Sequence, residues 1–435
     1  MPRPLRTVRT SAHVRPPRAA LAGAAALVLL PLAAATGANA APVAPGPVPY
    51  AMDSSNQAGW WSPLDTYKGA GEYAYLAFNE PGSTAGTHRV AIARRDPSGT
   101  WSRLPLMNGS TPAEYPDDIG HNQPSMARDG SGRFHVFASM HNDTWRYYRS
   151  DTVGGAPTNH SADMPDQGRN ITYPVVATAP NGDLYVIARV DGSGARHGRL
   201  YRWNDASATW SAVATFALSG NRSVYPDDLQ VDSAGNVHIL FEWALYPAQT
   251  YRHELSYLRY SPSDGRFTDH NGAAETVPVT TATADVIQPL EAGEAYRDST
   301  DTGPVVQSAK LALAGTSPRV VYRYRSPSSG ALFTVRYGYP SGTGWARQTV
   351  YAASQTRAAI DITWDPATAS KRVYYVTESG TDRVFAATES GGTWTSSSAA
   401  PGLPVERLAV KRDSSGDDVL YLAAPGTQKL YYGRR

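Results

Sequence analysis

The chain has 435 residues and a formal charge of +2, with 41% hydrophobic, 10% aromatic and 18% charged residues. Tyr 26 and Trp 10 favour strands over helices, and Gly 38 with Pro 33 suits a fold with many turns. The absence of cysteine excludes disulfide scaffolds, zinc fingers, iron–sulfur clusters and cysteine nucleophiles.

Residues 1–40 carry Arg3, Arg6, Arg9, Arg15 and Arg18 and no acidic residue. An Ala/Leu/Val-rich run from Ala19 to Ala35 follows, and it ends in Ala38-Asn39-Ala40. A basic start, an apolar middle and an A-x-A site predict a secretory signal peptide cleaved after Ala40. Removing those five arginines leaves 35 basic against 38 acidic residues, a net charge of −3. Such a secreted, near-neutral chain, expected as a monomer, has no electrostatic footprint for nucleic acid or for a membrane surface. Residues 41–49, with Pro42, Pro45, Pro47 and Pro49, read as a Pro-rich extended leader into one domain over 50–435.

Beyond residue 50 a turn followed by an alternating apolar strand recurs seven times. The copies begin at Gly71, Gly132, Gly182, Gly235, Ser317, Lys371 and Gly416. Between them lie strands that follow small-residue turns and open on Trp101, Trp210, Phe267, Trp345 or Trp394. Strand–turn units at this spacing predict an all-β fold, a seven-bladed β-propeller of four-stranded antiparallel blades. Two β-sandwiches, the rival architecture, would show a linker and lose the period.

Three consecutive blades align on the hairpin turn between their first two strands. Counted outward from the turns, His121 pairs with His141, Tyr173 with Arg189, and Tyr225 with Trp243. His121, Tyr173 and Tyr225 are also spaced by equal steps of 52, which predicts equivalent stations converging on one rim. His135 and His238 sit inside alternating strands and read as structural. Asp117-Asp118 and Asp227-Asp228 read as loop caps.

A Tyr/His/Arg pocket without paired carboxylates suits proton abstraction beside a carboxylate more than glycoside hydrolysis. In a uronic acid the C5 proton becomes acidic once a cation neutralises the carboxylate, and an arginine supplies that charge. A tyrosine near an arginine and a histidine then supply proton transfer.

Asp118-Ile-Gly-His121, Pro124-Ser125, Met140-His141-Asn142, Thr172-Tyr173-Pro174, Arg189 and Tyr225-Pro226 together resemble the BNR-repeat propeller lyases. That group includes ulvan lyases and rhamnosyl-glucuronate lyases, and the likeness is clear over residues 115–260. It implies that Tyr173 is base and acid, Arg189 neutralises the carboxylate, His121 is a second proton-transfer group, and His141 supports geometry. It also implies that Tyr225, Asn122, Trp243, Arg252 and His253 line the sugar subsites. The implied substrate is an anionic, uronate-containing, rhamnose-linked polysaccharide such as ulvan, and the chemistry requires no cofactor. Some relatives hold a structural divalent metal, and the sequence maps no site for one. This chain departs from the family in having Ala244 after Trp243, where relatives often carry arginine. An exo-acting rhamnosidase on the same scaffold and a non-catalytic carbohydrate-binding propeller are the alternatives.

Overall fold

The computed structural model describes residues 42–56, 61–118, 120–249, 251–295, 305–326, 332–352, 359–377, 380–381 and 383–435. The expected signal peptide over 1–40 lies outside the described residues.

Among the described residues the strands form six mainly antiparallel sheets, of four, six, eleven, five, four and four strands. Their inner strands are Leu64–Lys68, Ser125–Arg128, Ile171–Thr178, Arg222–Val231, Val305–Ala314, Ile360–Asp365 and Arg407–Arg412. Each inner strand packs against the next, and the seventh packs against the first. The ring is therefore closed, and the fold is a β-propeller with blades I to VII in chain order. Each recurring alternating segment is the second strand of its blade, for example Leu184–Gly192 in blade III and Val237–Leu245 in blade IV. The apolar residues of successive blades meet in shared clusters. Val175, Ile187 and Leu200 of blade III bury against Leu229, Ile239 and Phe241 of blade IV.

The expected leader is part of the fold. Val43–Pro47 pairs with Lys429–Arg434 and forms the outer strand of blade VII, so the last blade combines both ends of the described chain. The propeller therefore includes residues that the sequence reading placed before residue 50.

One turn chemistry recurs along the chain. At Asp96, Asp129, Asp232, Asp269 and Asp413 the carboxylate accepts the backbone N–H four residues on, at 2.8–3.0 Å. The intervening glycines Gly99, Gly132, Gly235, Gly272 and Gly416 all have φ between 82° and 90°. A Cβ at Gly235 would meet nothing within 4 Å, so only backbone strain opposes a side chain there. Gly235→Ala should therefore cost about 1 kcal/mol in urea unfolding. An unchanged midpoint would mean that the turn relaxes.

His135 and His238 hold equivalent buried positions, as expected. In each, Nδ1 meets a tyrosine hydroxyl at 2.7 Å (Tyr147, Tyr257) and Nε2 meets an aspartate at 3.2 Å (Asp129, Asp232).

Candidate active site

The rim near the starts of the inner strands of blades II, III and IV gathers one dense polar cluster. In blade III, Thr172 stands opposite Arg189 and Val175 opposite Ile187, so Tyr173 and Pro174 form a bulge. Proline has no N–H for the ladder, and Tyr173 takes a left-handed φ of 56°. Such a conformation costs on the order of 1–3 kcal/mol at a bulky residue and persists only where the surroundings enforce it. A second bulge at Asp227, after Pro226, places Tyr225 opposite Glu242.

These bulges correct the alignment inferred from spacing. Arg189 faces Thr172, and Trp243 faces Val224. From His121 to Arg128, Tyr173 to Thr178 and Tyr225 to Val231 is seven, five and six residues, so the three do not share one station. They converge for another reason. His141–Asp143 leaves blade II and pairs with the first residues of the blade III inner strand, which sets His141 opposite Thr172 and next to Tyr173. His121 sits in a turn before the blade II strand, closed by its N–H donating to the Asp118 carbonyl at 2.9 Å.

The His121 and His141 rings stack at 3.8 Å with 10° between their planes. Asp118 bridges them, accepting from Nδ1 of His121 at 3.0 Å and from Nδ1 of His141 at 2.6 Å. A carboxylate only accepts, so each neutral imidazole carries its proton on Nδ1 and keeps a basic Nε2. Burial works against the Asp118 charge, but the two histidine hydrogen bonds outweigh it and hold the carboxyl below its ordinary value. Burial also depresses His121, and the Asp118 hydrogen bond only partly offsets that.

Tyr173 lies 6.0 Å from His121, 6.2 Å from His141, 5.7 Å from Tyr225 and 5.8 Å from Trp61, centroid to centroid. The Arg189 guanidinium lies beside both tyrosine rings, 4.8 Å from the Tyr173 centroid and 4.7 Å from that of Tyr225. Arg252 lies 4.0 Å from the Tyr225 centroid. Two imidazoles, two phenols and two guanidinium groups are thus packed together. Desolvated cation–π contacts of this kind contribute up to about 2 kcal/mol each. Arg189 is 1% exposed, and its Nε and Nη1 have no hydrogen-bond partner among the described residues. Burial raises the Tyr173 phenol, and Arg189 and Arg252 offset this only in part. The sequence reading expected the arginine to favour the phenolate; in the folded protein desolvation wins.

Of the residues expected from sequence, His121, His141, Tyr173, Arg189, Tyr225 and Arg252 come together. Asn122 is buried, its Nδ2 donating to the Pro116 carbonyl and its own carbonyl accepting from Asn79. Trp243 lies in the blade III–IV core with its Nε1 donating to Ser256, and His253 is buried opposite it. Asn122, Trp243 and His253 thus support the walls of the cluster. Ala244 packs with Trp61, Tyr173 and Tyr225, while Arg252 supplies a guanidinium to Tyr225.

Sequence reasoning missed four participants. Asp118 was read as a cap and instead ties two histidines. Trp61 lies in the non-repeating segment before blade I, where no period marks it. Glu242 and Asp227 lie buried beneath Tyr225, with Glu242 3.5 Å from Arg252. Burial first, then their mutual repulsion, pushes Asp227 well above its ordinary value, and burial pushes Glu242 up to about 7. Asp228, also read as a loop cap, lies within the blade IV inner strand and accepts from the Leu311 N–H in the inner strand of blade V.

An axial cavity of about 960 Å³ is lined by inner strands and opens among the first hairpin turns. Trp61 borders it, but none of His121, His141, Tyr173, Arg189 and Tyr225 does. The candidate site is therefore a rim cluster separate from the axial cavity.

Asp118, His121 and His141 have the composition of a metal site. A metal about 2.1 Å from both Nδ1 atoms would sit about 2 Å outside two parallel ring planes, away from the lone pairs. The trio fits a carboxylate accepting two hydrogen bonds, not a bound cation.

A BNR repeat-containing family model matches residues 73–359. The polysaccharide lyase Uly1 superposes with a TM-score of 0.61 at 16% identity, covering 89% of this chain and 90% of that one. An ulvan lyase of family PL25, bound to -[GlcA(1-4)Rha3S]-, superposes with a TM-score of 0.59 at 14% identity, covering 89% and 95%. At these identities the superpositions show the fold. No curated protein matches the chain by sequence.

Proposed function

The chain belongs to the BNR repeat-containing family, and from that membership and the rim geometry we propose that it is a secreted polysaccharide lyase. Its substrate is a uronate-containing, rhamnose-linked chain, the class to which the disaccharide named for the PL25 relative belongs. The observation that carries the reading is the pairing of a neutral imidazole with a protonated phenol, 6.0 Å apart, over a buried guanidinium.

In this reading His121 Nε2 takes the C5 proton, and the C5–H electrons form the C4–C5 double bond as the C4–O4 bond breaks. Tyr173, kept as phenol by burial, gives its proton to O4 of the leaving sugar. Arg189 lies beneath the ring and offsets the charge that develops on the substrate carboxylate and then on the phenolate. Returning the proton from imidazolium to phenolate restores the site. Compared with the sequence reading, Tyr173 keeps the acid role and His121 takes the base role. Tyr225 and Arg252 border the sugar.

Hydrolysis would call for two carboxyl groups flanking the scissile bond. Here Asp118 is committed to two imidazoles, while Asp227 and Glu242 are 0% exposed.

The pH profile tests the assignment. The base must be neutral, and His121 is depressed below 6.5, so turnover should rise through a midpoint below that value. The acid must be protonated, and Tyr173 is raised above 10.0, so the alkaline limb should lie beyond that value. An alkaline limb well below 10.0 would instead assign proton donation to another group.

A further inference from the structure

Behind the rim lies a second hydrogen-bonded set that the proposed chemistry does not use. His88 stands near the start of Thr87–Arg95 in blade I, opposite Tyr115. Its Nδ1 donates to Asp117 Oδ1 at 2.9 Å, and its Nε2 accepts from the Ser139 hydroxyl at 2.5 Å. Serine, histidine and aspartate in this order have the connectivity of a nucleophilic triad. Burial argues against that use: His88 is 0% and Ser139 2% exposed, so Oγ offers no surface to an incoming carbonyl.

The set instead joins the two segments that carry the rim's proton-transfer groups. Asp117 immediately precedes Asp118, and Ser139 lies two residues before His141. Ser139 and Asn142, on either side of His141, both take left-handed backbone, with φ of 55° and 56°. Arg146 donates to the Ser139 carbonyl and pairs with Asp143 at 3.0 Å. Strained residues of this kind persist where neighbours over-determine them.

We infer that Asp117, His88 and Ser139 are positioning residues that lock the Asp118 carboxylate between His121 and His141. Asp117 accepts the Nδ1 proton of His88, which leaves Nε2 to accept from Ser139. This fixes the loop bearing Asp118 to the strand end bearing His141, across two blades. The kinetic consequence rests on the lyase reading, whereas the geometric one does not.

The experiment uses the full chain with Ser139→Ala, which removes one oxygen, and His88→Gln as the second variant should the first fail to fold. The first readout is the low-field proton resonances of the His121 and His141 Nδ1–H groups, recorded without substrate. The second is kcat and KM on a uronate polysaccharide. The inference expects the two resonances to shift or broaden and kcat to fall about tenfold with KM within about twofold. Unmoved resonances in a folded variant would overturn it, whatever the kinetics show. Moved resonances in a protein whose wild type eliminates no uronate would support the relay and count against the lyase reading alone. Labelling of Ser139 by a fluorophosphonate would also overturn the inference, because it would make that residue a nucleophile.

Discussion

Tyr173→Phe is expected to lower turnover on a uronate polysaccharide by about 10³-fold, with KM changed by no more than a few-fold. The substitution removes one oxygen and leaves the ring, which packs on Trp61 and Tyr225 and covers the Arg189 guanidinium. The backbone keeps its left-handed turn before Pro174, so the bulge that shapes the rim survives. The loss should therefore fall on the chemical step, as expected for a group that gives a proton only as the C4–O4 bond breaks. Initial rates of unsaturated-uronate formation, read by ultraviolet absorbance beside a thermal melt, separate this from misfolding. A variant that keeps a tenth of wild-type turnover would remove Tyr173 from proton transfer.

Arg189→Met should separate activity from stability. The guanidinium is buried beside two rings with Nε and Nη1 unsatisfied, and a buried charge so placed adds little stability. An unbranched apolar side chain of similar length should leave the thermal midpoint unchanged or raise it. Turnover should fall by about 10²- to 10³-fold, because the charge that offsets the carboxylate and the phenolate is gone. A substrate whose carboxyl groups have been reduced to alcohols provides the control. The wild type should turn it over poorly, and the mutation should add little further loss. If Arg189→Met cost the same factor on both substrates, the guanidinium would be acting only through packing.

The second strands were legible because their alternation is strict, and in blades II, IV and VII the preceding turn is specified by an aspartate and a left-handed glycine, as at Asp129–Gly132 and Asp232–Gly235. Val43–Pro47 was not legible as a strand. Two prolines hide any alternation, and only the pairing with Lys429–Arg434, nearly four hundred residues away, places it. The rim residues were named by a register that the structure replaces. Spacing counted residues, and the bulges at Tyr173–Pro174 and Asp227 each insert one, so Arg189 faces Thr172 and Glu242 faces Tyr225. The repeated Tyr-Pro pair was the available signal, since a proline within an inner strand marks a break in the ladder. His141 reaches Tyr173 by crossing to the next blade, which no single-hairpin count could show. Asp118 had the sequence signature of a cap, and only its two hydrogen bonds reveal its hold on both histidines. Asn122, before the blade II inner strand, and Trp243, within a blade IV strand, have side chains bonded inside the fold.

The most direct test of the central claim is digestion of ulvan by the wild-type chain in heavy-oxygen water, with the products analysed by mass spectrometry and ultraviolet absorbance. Elimination breaks the C4–O4 bond without adding water, so the new non-reducing ends should be unsaturated, absorbing and free of heavy oxygen. Saturated products carrying heavy oxygen would mean hydrolysis and would contradict the assignment of His121, Tyr173 and Arg189 to a β-elimination.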